Sequence, residues 1–168
     1  IASNLDLACI IFTLQSPETS LGFLDRFLAC CEAYNIPVLI LFNKIDLLNF
    51  EELELVEELQ AMYENLGYQT LQVSSAEKLN LDKLQEILKD KTCVFFGHSG
   101  AGKSTLANAL QPDLNLKTNE ISETHNKGKH TTTFAQMHFW HFGGAVIDTP
   151  GVREFAMIDV EKEEIQHY

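Results

Sequence analysis

The chain has 168 residues, 45% of them hydrophobic and 21% charged, which suits one soluble domain with a sizeable core. Its net charge of −12 and pI of about 4.8 argue against nucleic acid bound over the whole surface, leaving only a local basic patch or a neighbouring domain for such contacts. Apolar runs such as Val38 to Phe42 are far too short to span a membrane, no signal-peptide pattern opens the chain, and none of Cys9, Cys30, Cys31 and Cys93 belongs to a Cys-x-x-Cys pair of the kind that holds zinc.

The segments alternate. Leu7 to Leu14 (LACIIFTL) reads as a buried strand, and Leu21 to Tyr34 has apolar residues at helical spacing. Pro37 breaks that helix, and Val38 to Phe42 reads as a second buried strand. Glu51 to Leu66 is an amphipathic helix with Leu55, Val56, Leu59, Met62, Tyr63 and Leu66 on one side. Glutamates in its first turn suit the helix dipole, and Gly67 can end it. A strand over Thr70 to Val73 follows, then a helix over Leu81 to Leu88, a strand over Thr92 to Phe96, and a helix from Lys103 to Leu110. Pro112 to Lys129 is polar and lacks periodicity, so it reads as one long loop. Thr132 to Phe142 reads as a strand, Gly143-Gly144 as a hairpin turn, and Ala145 to Ile147 as the start of a returning strand. Strands alternating with helices predict an α/β fold with a mostly parallel sheet, the hairpin supplying one antiparallel edge. The cysteines read as buried free thiols in a reducing, cytoplasmic compartment. The chain opens at Ile1 and closes at Tyr168 after an acidic, helix-like stretch over Val160 to Gln166, so it reads as a fragment or an excised domain.

The motifs sit on the ends of these strands. Asn43-Lys44-Ile45-Asp46 follows the second strand. A carboxylate at Asp46 can accept bonds from the N1–H and exocyclic amine of guanine, a pair that adenine does not offer. The stem of Lys44 can lie on the purine face, and Asn43 can brace the loop. Val73-Ser74-Ser75-Ala76 also follows a strand. Small residues at Ser74 and Ser75 would let backbone N–H groups approach the guanine carbonyl, and a serine-rich helix cap is an equally good reading.

Gly97 to Thr105 reads GHSGAGKST and lies between a buried strand and a helix, the context a phosphate loop requires. Its residues Gly97, His98, Ser99, Gly100, Ala101, Gly102, Lys103, Ser104 and Thr105 are therefore candidate nucleotide contacts. Glycines let backbone N–H groups wrap phosphate oxygens, and the helix start adds partial positive charge. Lys103 would reach the β- and γ-phosphates, and the Ser104 hydroxyl would ligate Mg²⁺. Asp148 to Gly151 reads DTPG after a short apolar strand. Asp148 there can hold Mg²⁺, directly or through water, and the Gly151 N–H can sense the γ-phosphate.

The order is base reader, second base loop, phosphate loop, threonine segment, then Asp-Thr-Pro-Gly. Ordinary small GTPases place the phosphate loop first. Here the cycle of motifs is kept but cut elsewhere, as circular permutation allows. The predicted fold is therefore a circularly permuted P-loop GTPase arrangement of three layers.

FNKIDLL at 42–48, GHSGAGKST at 97–105, GKHTTTF at 128–134 and DTPGVREF at 148–155 together resemble the GTPase domain of the RsgA/YjeQ family over essentially the whole chain. The resemblance implies slow hydrolysis of GTP to GDP, stimulated by the small (30S) ribosomal subunit during its late maturation. It implies contact with that subunit and its rRNA mainly through a flanking OB-fold domain and a zinc-binding domain, neither complete here, with Zn²⁺ confined to the latter. It also implies a cytoplasmic, monomeric protein with no membrane partner. Where the family commonly has a glycine-containing stretch, this chain has Glu77-Lys78-Leu79-Asn80, which touches the detailed backbone contacts to guanine.

The polar loop ends in Lys129-His130-Thr131-Thr132-Thr133 and would form a switch ordered by γ-phosphate and Mg²⁺. Thr132 is the candidate metal ligand of the three threonines, chosen from its distance to Asp148; plain β-propensity is the alternative. Val152 stands where Ras-like enzymes carry a water-orienting glutamine. His130 is the candidate replacement, a role that the resemblance also implies, against a solvated loop histidine. His138 and His141, at i, i+3 on a strand, would face opposite ways and make a poor metal pair. Two other readings stay open: a permuted GTPase of the large-subunit branch, and a nucleotide-gated binding module with negligible turnover.

Overall fold

Leu7–Phe12 forms strand β1, and all six of its side chains are buried. A strand so uniformly apolar must be covered on both faces, which is the condition of a parallel sheet between helical layers. Its alternation sorts the core in two. Leu7, Cys9 and Ile11 pack with the buried faces of α3 (Leu81–Leu88) and α4 (Lys103–Leu110). Ala8, Ile10 and Phe12 pack with those of α1 (Leu21–Ala33) and α2 (Phe50–Asn65). The other strands are β2 (Val38–Phe42), β3 (Gln69–Gln72), β4 (Thr92–Phe96), β5 (Gln136–Phe139) and β6 (Ala145–Asp148). The computed structural model describes residues 5–116 and 136–148.

The sheet order is β3-β2-β1-β4-β6-β5. Every neighbouring pair is parallel except β5–β6. The predicted mostly parallel sheet with one antiparallel edge hairpin is therefore observed. The chain winds outward from β1 to β3, and α3 then carries it back to lay β4 on the other side of β1. Winding reverses between β1 and β4, and the crevice beyond the carboxyl ends of such a pair is where open α/β sheets bind ligands.

Local chemistry fixes the helices. The Ser20 hydroxyl accepts from the Phe23 N–H at 3.2 Å to start α1. A reciprocal capping box starts α2: Glu52 N–H donates to Asn49 at 3.0 Å, and Asn49 N–H donates to Glu52 at 2.8 Å. Gly67, at φ +94°, ends α2 as predicted, with Tyr68 N–H returning to the Tyr63 carbonyl at 3.1 Å. The Tyr63 hydroxyl donates to Asp25 at 2.8 Å and ties α2 to α1.

Two sequence expectations need correction. On α2 only Val56, Leu59 and Tyr63 are buried, while Leu55, Met62 and Leu66 stay exposed, Leu66 at 67%. A single sheet face covers a narrower stripe than the apolar period marks out. The described part of the strand predicted over residues 132–142 begins at Gln136 and ends at Phe139, not Phe142. Trp140 to Gly144 form a longer connection, closed by Trp140 N–H to the Gly144 carbonyl at 3.0 Å and Gly143 N–H to the Trp140 carbonyl at 3.2 Å. Trp140 and Phe142 stack at 5.2 Å and turn toward the α3–α4 core, so their hydrophobicity marks packing and not strand.

All four cysteines are free; Cys9, Cys31 and Cys93 are buried. Burial pushes the Cys31 thiol up to about 12 and the Cys9 thiol well above its ordinary value, which keeps both protonated and unreactive. Leu84 is fully buried at the centre of the α3–α4 core. Leu84→Ala should therefore cost about 2–5 kcal/mol in urea unfolding with an unchanged m-value. A loss under about 1 kcal/mol would mean that this core collapses around the cavity.

Candidate functional site

The loop after β4 leaves the sheet directly over β1. Gly97 sits at φ +147°, and a Cβ there would stand 2.8 Å from the Ile11 carbonyl oxygen. Gly102, at φ +103°, opens α4, and a Cβ there would stand 2.4 Å from Asn43 Nδ2. Two of the loop's glycines are thus demanded by Ile11 of β1 and by Asn43 just after β2, as well as by backbone shape. Ala101 N–H donates to the His98 carbonyl at 3.1 Å, and Leu106 N–H to the Gly102 carbonyl at 2.8 Å. Lys103 Nζ folds back over the loop and donates to the carbonyls of Gly97 at 2.6 Å and His98 at 2.8 Å. A concave turn without side-chain bulk, the start of a helix and an ammonium held above it fit a polyphosphate.

Lys103 and Ser104 also line a small cavity with Phe95, Ala107, Leu116, Val146 and Ile147. The β4–β6 pairing makes that contact, since Val94 lies opposite Ile147. The same strand carries the backbone of Asp148 to its carboxyl end, opposite Gln136. Ser104 and the residues at the end of β6 thus border one cavity. His130, Thr132 and Gly151 lie outside the described residues, as does the side chain of Asp148.

The base-reading side is built from β2. Asn43 is only 3% exposed. Its N–H donates to the Phe12 carbonyl at 2.9 Å, and its Nδ2 donates to the Ala101 carbonyl at 2.9 Å. Lys44 takes a left-handed conformation at φ +64°, and its Nζ donates to the Ser16 carbonyl. Asp46 is exposed in a short 3₁₀ turn, Ile45–Leu47, and its Oδ1 accepts from Ser74 Oγ at 2.5 Å. One carboxylate oxygen is thereby oriented while the residue stays exposed.

Ser74 and Ser75 use their hydroxyls to hold the neighbouring loop. Ser74 is fully buried, holds Asp46, and accepts from the Glu77 N–H at 3.0 Å. Ser75 Oγ lies 3.5 Å from Asn43 Oδ1 and donates to it. Neither caps α3, which begins after Asn80. The loop closes on itself through Leu79 N–H to the Ser74 carbonyl at 3.0 Å. Lys78 at φ +54° and Asn80 at φ +57° take the left-handed conformations that glycine would adopt freely.

One contributor went unread in the sequence. The β1–α1 segment also borders the phosphate loop: a Cβ on Gly100 would stand 3.5 Å from Pro17 Cδ, and the Phe23 ring lies 4.4 Å from the His98 ring. The Ser16-Pro17 dipeptide just after a strand was the signal available. His138 lies on β5, whereas His141 lies beyond it and pairs with Asp113 at 2.8 Å. Among the described residues no group of three or more His, Cys, Asp or Glu side chains could hold a metal ion, and no helix is long and apolar enough to cross a membrane.

A family model described as RsgA GTPase matches residues 1–158. The chain is 48% identical over 168 residues to the small ribosomal subunit biogenesis GTPase RsgA of Flavobacterium psychrophilum, covering 100% of this chain and 52% of the relative. It is 48% identical to the protein of the same name from Bacteroides fragilis, covering 100% of this chain and 54% of the relative. The chain thus spans about half the length of the curated relatives it matches. Its structure resembles that of YjeQ from Thermotoga maritima, with a TM-score of 0.82 at 36% identity over 98% of this chain and 54% of that one. It also resembles YloQ, described as a circularly permuted GTPase, with a TM-score of 0.71 at 31% identity over 98% of this chain and 50% of that one.

Gly97 and Gly67 make a matched pair for testing the cradle. Both have positive φ, but a Cβ at Gly67 meets nothing within 4 Å. Gly67→Ala should lower thermal stability by about 1–2 kcal/mol, and Gly97→Ala by roughly 2–4 kcal/mol, because the Ile11 backbone cannot yield. Equal losses would show that contact with β1 does not shape the loop.

Proposed function

This chain belongs to the RsgA GTPase family, and from that premise we propose that it binds GTP and hydrolyses it to GDP and phosphate, with stimulation by the small ribosomal subunit during late maturation. The observation that carries the reading is the Asn43–Ala101 hydrogen bond, which joins the base-reading segment to the phosphate loop. The names of the relatives favour the small subunit over the large.

On this reading each residue has a task. Asp46 accepts from N1–H and the exocyclic amine of guanine, with Ser74 fixing its orientation. Lys44 covers the purine face, and Asn43 with Ser75 braces the loop. Backbone N–H groups from Gly97 to Thr105 surround the phosphates, and the Lys103 ammonium leaves the loop's own carbonyls for the β- and γ-oxygens. Ser104, Thr132 and Asp148 would hold Mg²⁺, which when bound offsets charge on the phosphate oxygens. His130 accepts a hydrogen bond from the attacking water and aims it at the γ-phosphorus. The water oxygen bonds to the γ-phosphorus as the bridging bond to the β-phosphate breaks, GDP leaves with the bridging oxygen, the water's proton passes to a phosphate oxygen, and the Gly151 N–H donates to the γ-phosphate. Binding to the subunit and its rRNA falls mainly to OB-fold and zinc-binding domains flanking residues 1–168, zinc belonging to the latter. The protein acts in the cytoplasm as a monomer.

Val152 in place of glutamine supports a second reading, a nucleotide-gated module with negligible turnover. Measuring GTP hydrolysis by the full-length protein alone, with 30S and with 50S particles separates the readings. Stimulation by 30S is expected; stimulation by 50S alone, or by neither, overturns the first. Asp46→Asn should weaken GTP binding on the order of 100-fold, since two hydrogen bonds to a charged acceptor are lost; unchanged affinity rules out guanine selection by Asp46. His130→Ala should keep GTP affinity within about 3-fold while losing on the order of 100-fold in 30S-stimulated turnover. Undiminished stimulated turnover removes His130 from the chemistry.

A further inference from the structure

The loop that joins β1 to α1 touches both halves of the candidate site. The Ser16 carbonyl receives Lys44 Nζ from the base side. The next residue, Pro17, sets its ring beside Gly100 on the phosphate side. Adjacent residues therefore contact the purine-covering lysine and the phosphate loop.

The loop's shape is set from beneath. Thr13 and Thr19 are 1% and 3% exposed. Thr13 Oγ1 donates to the Pro17 carbonyl at 2.5 Å and lies 3.2 Å from Thr19 Oγ1. Thr13 N–H donates to Thr19 Oγ1 at 3.3 Å, and Thr19 N–H donates to the Thr13 carbonyl at 2.8 Å. Four polar contacts close a seven-residue turn in a dry setting, where each unmade bond is costly. Thr13 also directly follows Phe12, whose carbonyl receives the Asn43 N–H.

We propose that the Thr13–Thr19 loop holds the base reader and the phosphate loop in one register, and that Thr13 is a positioning residue for nucleotide binding. The inference rests on the GTP-binding reading above and adds a residue to it. Without the Thr13 hydroxyl, the Pro17 carbonyl loses its buried partner and the loop shifts. The Ser16 carbonyl then no longer meets Lys44, and Pro17 no longer backs Gly100. Thr13 touches no part of the nucleotide itself.

The test titrates a fluorescent GDP analogue into the full chain and into Thr13→Val, Thr13→Ser and Thr19→Val, with nucleotide-free thermal unfolding in parallel. Thr13→Val should raise the Kd about 10-fold, Thr19→Val should raise it in the same direction, and Thr13→Ser, which keeps the hydroxyl, should restore it to within about twofold. Combining Thr13→Val with Lys44→Met should raise Kd by less than the product of the two single effects, because both act on one contact. A purely structural threonine would lower the unfolding midpoint without this rescue or this coupling. Absence of binding by the unmodified chain overturns the GTP reading and the inference with it. Normal binding by folded Thr13→Val overturns the inference alone. So does failure of both valine variants to fold, which would make the loop a folding element.

Discussion

The hydrogen bond from Asn43 Nδ2 to the Ala101 carbonyl holds the site together. It spans 58 residues of sequence and is buried. Its cost if unmade is high, because a buried amide without a partner forfeits its solvation. It also dictates Gly102, since any side chain there would occupy the space of the amide. The Asn43 backbone is pinned in turn to Phe12 of β1, and Gly97 of the phosphate loop is pressed against Ile11 of the same strand. The carboxyl end of β1 is thus the common floor on which both loops rest, and the Thr13 loop rises from it.

That dependence explains why the order of motifs along the chain is free to change. The parallel pairing of β1 with β4 and of β1 with β2 requires only that the strands lie side by side. It does not require that β4 come first. The base-reading half occupies one stretch of chain and the phosphate half the next, with α3 carrying the link back across the sheet. In the permuted order the link runs from α3 into a central strand, where Lys91 accepts and donates backbone bonds that anchor both Ala145 and the end of α3. The site is a set of strand ends in space, and the covalent path between them is secondary.

Sequence and structure agreed best where one signal acted alone. Val38–Phe42, Leu81–Leu88, Thr92–Phe96 and Lys103–Leu110 have the predicted bounds; each is a short apolar run or a single amphipathic period bounded by clear punctuation. Agreement failed where apolar side chains served tertiary packing. Trp140 and Phe142 extended a strand pattern although they fold back onto the core, and half of the α2 stripe stays in water. In the candidate site, the placement of Asn43, Lys44, Asp46 and the glycine-rich loop at strand ends was legible from their spacing after apolar runs, and the structure brings Asn43 against Ala101. The partnership of Ser74 with Asp46 was half legible, as a serine in the right place without its bond. Thr13 and Pro17 were not legible, because a buried threonine and a turn proline say nothing in sequence about what they support.

The net charge sharpens the point. A chain at −12 repels a polyphosphate at long range, so attraction must come from within a few ångströms. At physiological salt the field of distant carboxylates fades over about 8 Å. Backbone N–H groups, the first turn of α4 and the Lys103 ammonium act inside that distance. On the proposed reading, backbone donors that already point at an anion bind it best, since donors that must reorganise spend their interaction on reorganising. Lys103, which rests on the Gly97 and His98 carbonyls, has to exchange those bonds for phosphate oxygens. An acidic protein that takes an anionic ligand therefore depends on a rigid local scaffold. On the proposed reading, the contacts of Asn43 with Ala101, Gly97 with Ile11 and Thr13 with Pro17 would form that scaffold.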